Sequence, residues 1–177
     1  MITHEEALDL LKKHGIEGFV LKHVLRVNQI AVYLAKKLKE KGESVNVELT
    51  DIASLLHDIG KKLADSTPMN HIDAGVKILN DEGMKEIGEV IKKHSINAIV
   101  EEDKIPTTWE EKLIFYADRR VIEDKIASLD ERITDLKTRY PDIEKFLGEA
   151  VPKIKKLEET IFNILDISKD LTELKND

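Results

Sequence analysis

The stretch "SLLHDIGKKL", Ser54 to Leu63, sets a histidine, an aspartate and two lysines against leucines and isoleucines. Leu55, Leu56 and Ile59 recur at the spacing of one helix face, which predicts an amphipathic helix from about Val47 to Ile59 with Gly60 as its cap. His57 follows Ala53 on the flank of that stripe, and Asp58 lies one step round at the helix end. A carboxylate carried inward in this way needs a partner, because burying it unpaired is costly or forces it to take up a proton.

The same helical period runs outward in both directions, and no segment shows sustained strand-type alternation. Thr3 caps a first helix over "HEEALDLLKKH", closed by Gly15; a longer one runs from about Phe19 to Lys41 and ends at Gly42. Downstream, "KKLADSTPM" reads as a loop, followed by helices near Asn70 to Asp81 and Met84 to Lys93. A loop then covers Ser95 to Thr107. Thr107 or Thr108, with Glu110 or Glu111 closing a capping box, starts a helix over "WEEKLIFYADRRVIEDKI". Ser128 restarts "LDERITDLKTRY", and Pro141 opens a long final amphipathic helix. The fold class expected is all-α: a compact helical bundle over residues 1–126, with additional C-terminal helices over 127–177 that pack on the same domain or serve a homodimer.

Composition narrows the chemistry. With 41% apolar and 36% charged residues, the 177-residue chain has the make-up of a globular protein. A formal charge of -7 with interspersed lysine and glutamate disfavours nucleic acid as the main partner. No apolar run is long enough to span a bilayer and the N-terminus has no signal-like pattern, so the expectation is a cytoplasmic protein without a membrane partner. The absence of cysteine removes thiolate metal sites and thiol nucleophiles, leaving imidazole and carboxylate as ligands.

Several of those groups sit on apolar stripes. In a continuous helix Asp118 has Ile114, Phe115, Val121 and Ile122 as its three- and four-residue neighbours. His23 lies among Phe19, Val20 and Val27, His94 among Val90, Ile91 and Ala98, and His71 opens a helix ahead of Ala74, Gly75 and Ile78. Any one of these can be a hydrogen-bonded core residue, and Asp118 can pair with Arg26, Arg119 or Arg120. Together, from five segments, they have the arrangement of a metal cluster in a helical core. Imidazole and carboxylate suit iron, manganese, nickel, cobalt or zinc, and six ligands exceed the need of one tetrahedral ion. His4 and His14 read as exposed residues at the ends of the first helix.

His23, the pair His57-Asp58 and Asp118 resemble the HD superfamily of metal-dependent phosphohydrolases, and "HDIG" at 57–60 is the signature of one large subset. "NHIDAG" and "IKKHS" are similar to segments of the bacterial HD enzymes that split diadenosine tetraphosphate symmetrically. The resemblance implies His23, His57, Asp58 and Asp118 on a first divalent metal, and His71 and His94 on a second, with Asp58 bridging. Ser95-Ile96-Asn97 and Arg119-Arg120-Val121-Ile122 differ from that group, so the metal site carries over more fully than the substrate.

The function expected is hydrolysis of a phosphate ester or anhydride of a small phosphorylated substrate, a nucleotide, by metal-activated water. The alternative is a nucleotide-binding or regulatory module without turnover. Lys61 is the first choice for a phosphate contact, and Lys62 reads as a solvated loop residue. Arg26, Arg119 and Arg120 either hold a further phosphate or pair with carboxylates. Asp73 takes a proton from the nucleophilic water, orients His71, or caps its helix. No glycine-rich phosphate loop is present.

Overall fold

A computed structural model describes residues 2–174, and its architecture is all-α apart from one two-residue hairpin. Thr3 and Glu6 form a reciprocal capping box that starts α1, His4–Lys13, and Gly15 at φ +71° turns the chain out of it. α2, Gly18–Glu40, buries Val24, Val27, Ile30, Ala31, Leu34, Ala35 and Leu38, and so presents two apolar faces. One face shares a core with Leu11, Leu55, Leu56, Ile59, Leu79 and Ile91. The other meets Leu113, Tyr116, Ile161, Phe162 and Leu165. α2 is thus the central support of the bundle.

Asn46 caps α3, Val47–Leu56. This helix stops three residues short of the predicted end, so His57 and Asp58 lie in the turn beyond it. Gly60 has φ -78° and is no left-handed cap. Its role is close approach: a Cβ there would stand 2.0 Å from the His71 carbonyl oxygen and 2.2 Å from the Gly75 nitrogen. The predicted loop after it opens with a short helix, α4, Lys61–Ala64, which packs on α5, His71–Asp81. Glycine at 60 therefore draws the start of α5 against the His57-Asp58 turn.

α6 spans Lys85–Ile91, ending just before His94, and a single 3-10 turn covers Ile96–Ile99 within the predicted loop. α7, Trp109–Asp118, starts with the Thr108–Glu111 capping box. It ends at Asp118 rather than continuing to Ile126. Strands β1, Val121–Ile122, and β2, Lys125–Ile126, pair antiparallel, Val121 opposite Ile126, around Glu123 at φ +58°. The short apolar run of β-branched Val121 and Ile122 has no period to separate strand from helix, which is why the sequence pattern misplaced it. Ser128 caps α8, Leu129–Arg139, and a 3-10 turn at Pro141–Ile143 leads into α9, Glu144–Leu165, which ends at Asp166 in the left-handed conformation. α9 lies on α2 and α7, with Tyr116 and Phe162 edge to face at 6.0 Å. Leu129, Ala150 and Ile154 close a third small core over Phe115 and Ile99. No described helix is long and apolar enough to cross a membrane.

Candidate metal centre

Five segments deliver their polar residues to one point. His23 comes from α2, His57 and Asp58 from the turn after α3, and His71 from the first position of α5. His94 follows α6, and Asp118 is the last residue of α7. His57, Asp58 and His94 are almost fully buried.

The backbone decides which ring nitrogen faces inward. Nδ1 of His57 lies 2.7 Å from the Ser54 carbonyl oxygen, that of His94 2.6 Å from the Ile91 carbonyl, and that of His23 3.1 Å from the Glu123 carbonyl. A carbonyl can only accept, so Nδ1 donates the proton, and in the neutral ring Nε2 is left with its lone pair. The left-handed Glu123 in the hairpin is what aims a carbonyl at His23. Asp58 stands in the middle. Its Oδ2 is 3.3 Å from His57 Nε2 and 3.7 Å from His23 Nε2, while its Oδ1 is 3.8 Å from both His71 and His94 Nε2. Two three-residue groups result, His23-His57-Asp58 and Asp58-His71-His94, each with ligand atoms within 4.8 Å of one another. Asp118 adjoins the first, its Oδ1 3.1 Å from His23 Nε2.

These residues fit divalent cations. Among the described residues, four buried side-chain polar atoms have no hydrogen bond, and His57 Nε2 and Asp58 Oδ2 are two of them. Buried polar atoms are normally paired, and this pair faces each other inside a cluster of lone pairs, the arrangement a metal ion completes. The Lys61 ammonium lies 2.7 Å from Asp58 Oδ2 as an ion pair without hydrogen-bond alignment.

Electrostatics favour the ligand forms of Asp58, Asp118, His71 and His94. Burial pushes the Asp58 carboxyl up, but the facing His57, Lys61 and His94 outweigh it and hold it far below the usual range. Asp118 is likewise held well down, against burial, by Arg119 and His23. Burial, reinforced by His57, pushes His94 down to about 3, and burial also lowers His71. Burial opposes protonation of His57, yet adjacent Asp58 outweighs it and shifts that imidazole upward.

The cluster opens into a cavity of about 780 Å³. Lys61 and Arg119 line it, as do Arg132 and Arg139 from α8, and Phe19 and Tyr140. Arg119 is buried, stacked 4.1 Å over the Phe115 ring, and donates to the Phe115 carbonyl and Asp118 Oδ2. Burial lowers it to about 10, and the charge of Arg132 pushes in the same direction.

Three of the candidate residues do not line the cavity. Arg26 lies outside the cavity, donating to the Asp124 and Leu174 carbonyls and to Gln29. Arg120 points the opposite way from Arg119, with its donors taken by the Ala127 and Lys169 carbonyls and the Tyr116 hydroxyl. Asp73 does not line the cavity; its carboxylate accepts from Asn70, the cap of α5. His4 and His14 stand apart near Asp51 and Glu82, His14 half-buried. Sequence reading missed Arg132 and Arg139. The signal was the face Arg132, Leu136, Arg139, which looks like an ordinary solvated helix face until α8 is docked.

The chain matches the HD domain family over residues 20–121. It is 33% identical over 175 residues to the uncharacterized protein MJ0778 of Methanocaldococcus jannaschii, covering 91% of this chain and 98% of that one. It is 28% identical over 178 residues to a tRNA (cytidine(56)-2'-O)-methyltransferase of Thermoplasma volcanium, covering 94% of this chain but only 48% of the methyltransferase. A ribonuclease Y of Alkaliphilus metalliredigens is 31% identical over 136 residues, 71% of this chain and 26% of the ribonuclease. No solved structure matches. With more than half of its length inside the match, and with the paired His57-Asp58 at the meeting point of the buried histidines, the chain belongs to the HD domain family.

Proposed function

We propose that the chain is a metal-dependent phosphohydrolase acting on a small nucleotide, with His23, His57, Asp58 and Asp118 holding one divalent transition metal ion and Asp58, His71 and His94 a second. Asp58 carries this reading: it presents one oxygen to each histidine pair, and its Oδ2 and the Nε2 of His57 are buried without a hydrogen bond. Iron, manganese, nickel, cobalt and zinc all suit imidazole and carboxylate donors. Divalent ions held there supply Lewis acidity, lowering the pKa of water towards neutrality and drawing charge from phosphoryl oxygens.

The chain's own groups do the rest. Carbonyls of Ser54, Ile91 and Glu123 hold the three Nδ1 protons, so the rings cannot rotate out of register. Lys61, ion-paired to Asp58 yet 40% exposed towards the cavity, supplies a mobile cation for the scissile phosphate. Arg119 is fixed by its stacking and adds a second positive charge on the same wall.

The test is metal analysis of the purified protein and an assay with manganese, cobalt or nickel against a nucleotide panel. Retention of turnover by Asp58→Ala would sink the proposal. A binding module without turnover is the second reading. Its support is that the chain corresponds to about half of the Thermoplasma volcanium methyltransferase, whose named activity is methyl transfer. Metal content of one equivalent or more with no hydrolysis of any panel member would favour it.

A further inference from the structure

We infer that Arg132 and Arg139 on α8 form a binding site for a second phosphate of the substrate, so that the substrates are nucleotides carrying more than one phosphate. This deepens the phosphohydrolase reading and rests on it for the position of the first phosphate.

Arg132, Leu136 and Arg139 share one face of α8, and all three line the cavity that holds His23, Asp58, His71, His94 and Asp118. Buried Leu129 and Leu136 fix that face in place. Both guanidiniums turn to one carboxylate, Arg132 Nη1 at 2.7 Å and Arg139 Nε at 2.8 Å from Asp135. One carboxylate neutralises one of them, so the pair keeps a net positive charge. Arg132 Nε is buried and has no hydrogen bond among the described residues.

An ordinary helix-surface ion pair would leave its guanidinium in water, whereas the Arg132 side chain is 17% exposed and faces the cavity. A charged donor held in this state is matched by a phosphate, whose oxygens accept the planar guanidinium fork two at a time, and the Arg139 side chain, 46% exposed, adds its charge beside it. The rest of the chain argues against chance: in a protein of formal charge -7, Lys61, Arg119, Arg132 and Arg139 converge on one cavity. Among the described residues, Phe19, Leu25 and Tyr140 are the exposed large apolar side chains, and Phe19 and Tyr140 stand on its walls, where they offer faces to a base. A volume of about 780 Å³ holds a nucleotide with room for the further phosphate. α8 lies outside residues 20–121, so this wall is an addition to the family core.

The experiment measures affinity calorimetrically on the full, manganese-loaded chain for AMP, ADP, adenosine 3',5'-bisphosphate and the dinucleotide pApA. The last three place a second phosphate in different positions. Wild type is expected to bind at least one of them about tenfold tighter than AMP, a preference falling below about threefold in Arg132→Gln/Arg139→Gln. Arg132→Lys/Arg139→Lys keeps the charge and loses the fork, and is expected to show an intermediate preference. It also carries the test if the glutamine variant does not fold. Equal affinities in the wild type, or a preference that persists in both variants, would overturn the site. Turnover is read on the same samples. A preference without hydrolysis defeats the phosphohydrolase reading and leaves this site standing; hydrolysis without a preference does the reverse.

Discussion

Two buried polar clusters grow from the last turn of α7, and they differ in whether their hydrogen bonds close. On one side, Tyr116 donates to Glu158 at 2.8 Å, while Arg120 reaches the Ala127 and Lys169 carbonyls, both at 2.7 Å, and the Tyr116 hydroxyl. Tyr116 and Arg120 are buried, and Nε, Nη1 and Nη2 of Arg120 each have an acceptor. On the other side, Asp118 joins His23, His57 and Asp58, where His57 Nε2 and Asp58 Oδ2 remain unsatisfied. A closed network ties elements together, and here it binds α7, the hairpin and the segment after α9. An open one has room for a ligand. Closure separates architecture from chemistry here more sharply than burial does.

The sharpest test of that distinction is a pair of substitutions with opposite outcomes. Asp58→Asn keeps the shape of the carboxylate and removes its charge. It is expected to cost metal-dependent turnover about a thousandfold or more and to abolish metal uptake, while the metal-free protein still folds. Arg120→Met is expected to destabilise by on the order of 3 kcal/mol, because it leaves the Tyr116 hydroxyl and the Ala127 and Lys169 carbonyls without their donor. Its residual folded fraction should still take up metal. Thermal melting and metal analysis of both variants decide the matter: a large melting loss in Asp58→Asn with none in Arg120→Met would invert the comparison.

Within the open cluster the two halves differ in exposure. His57 and His94 are sealed, whereas the His71 side chain is 40% exposed at the cavity wall. His71→Asn is therefore expected to leave the fold intact and lower metal content from about two equivalents to about one. Unchanged stoichiometry would show that His71 does not hold the second ion. A smaller effect is expected at the rim, where Tyr140→Ala should raise KM for a nucleotide about threefold to tenfold with kcat little changed.

The inward-facing residues were legible because each interrupts an apolar stripe at helical spacing, and a buried charge has few bland explanations. The caps at Thr3, Thr108 and Ser128 were legible for a similar reason, since a hydroxyl three residues ahead of a glutamate answers a known deficit of backbone acceptors. Direction was not legible. Arg119 and Arg120 are adjacent in sequence, and whether each faces the cavity or the core depends on the helix stopping at Asp118 and a two-residue hairpin following. Gly60 looked like a helix end because the pattern carries no information on the backbone of α5 pressing against it. Arg132, Asp135 and Arg139 have the spacing of a solvent-facing ion pair, and only the docking of α8 turns them to the cavity.

The opposite end of α7 supplies a carboxylate of the closed kind. Glu111 Oε2 accepts from the Thr107 nitrogen at 2.7 Å, the Thr108 nitrogen at 3.1 Å and the Thr107 hydroxyl at 3.0 Å, and Lys93 stands beside it. Burial pushes its pKa up, but those bonds outweigh it and the net shift is downward. A carboxyl depressed in the folded state stabilises above its unfolded pKa of about 4.3, and that contribution is lost as pH falls through the folded value. Glu111→Gln should therefore be less stable than wild type by about 1 kcal/mol at pH 7, with the difference shrinking below about pH 4. Because Lys93 immediately precedes His94, the same ion pair fixes the turn that aims His94 at Asp58. The variant should consequently show a modest fall in affinity for the second metal equivalent, measured by titration at pH 7. A stability difference that persists unchanged to pH 3 would mean that Glu111 acts by packing alone, and closure of its hydrogen bonds would then explain nothing about this end of the helix.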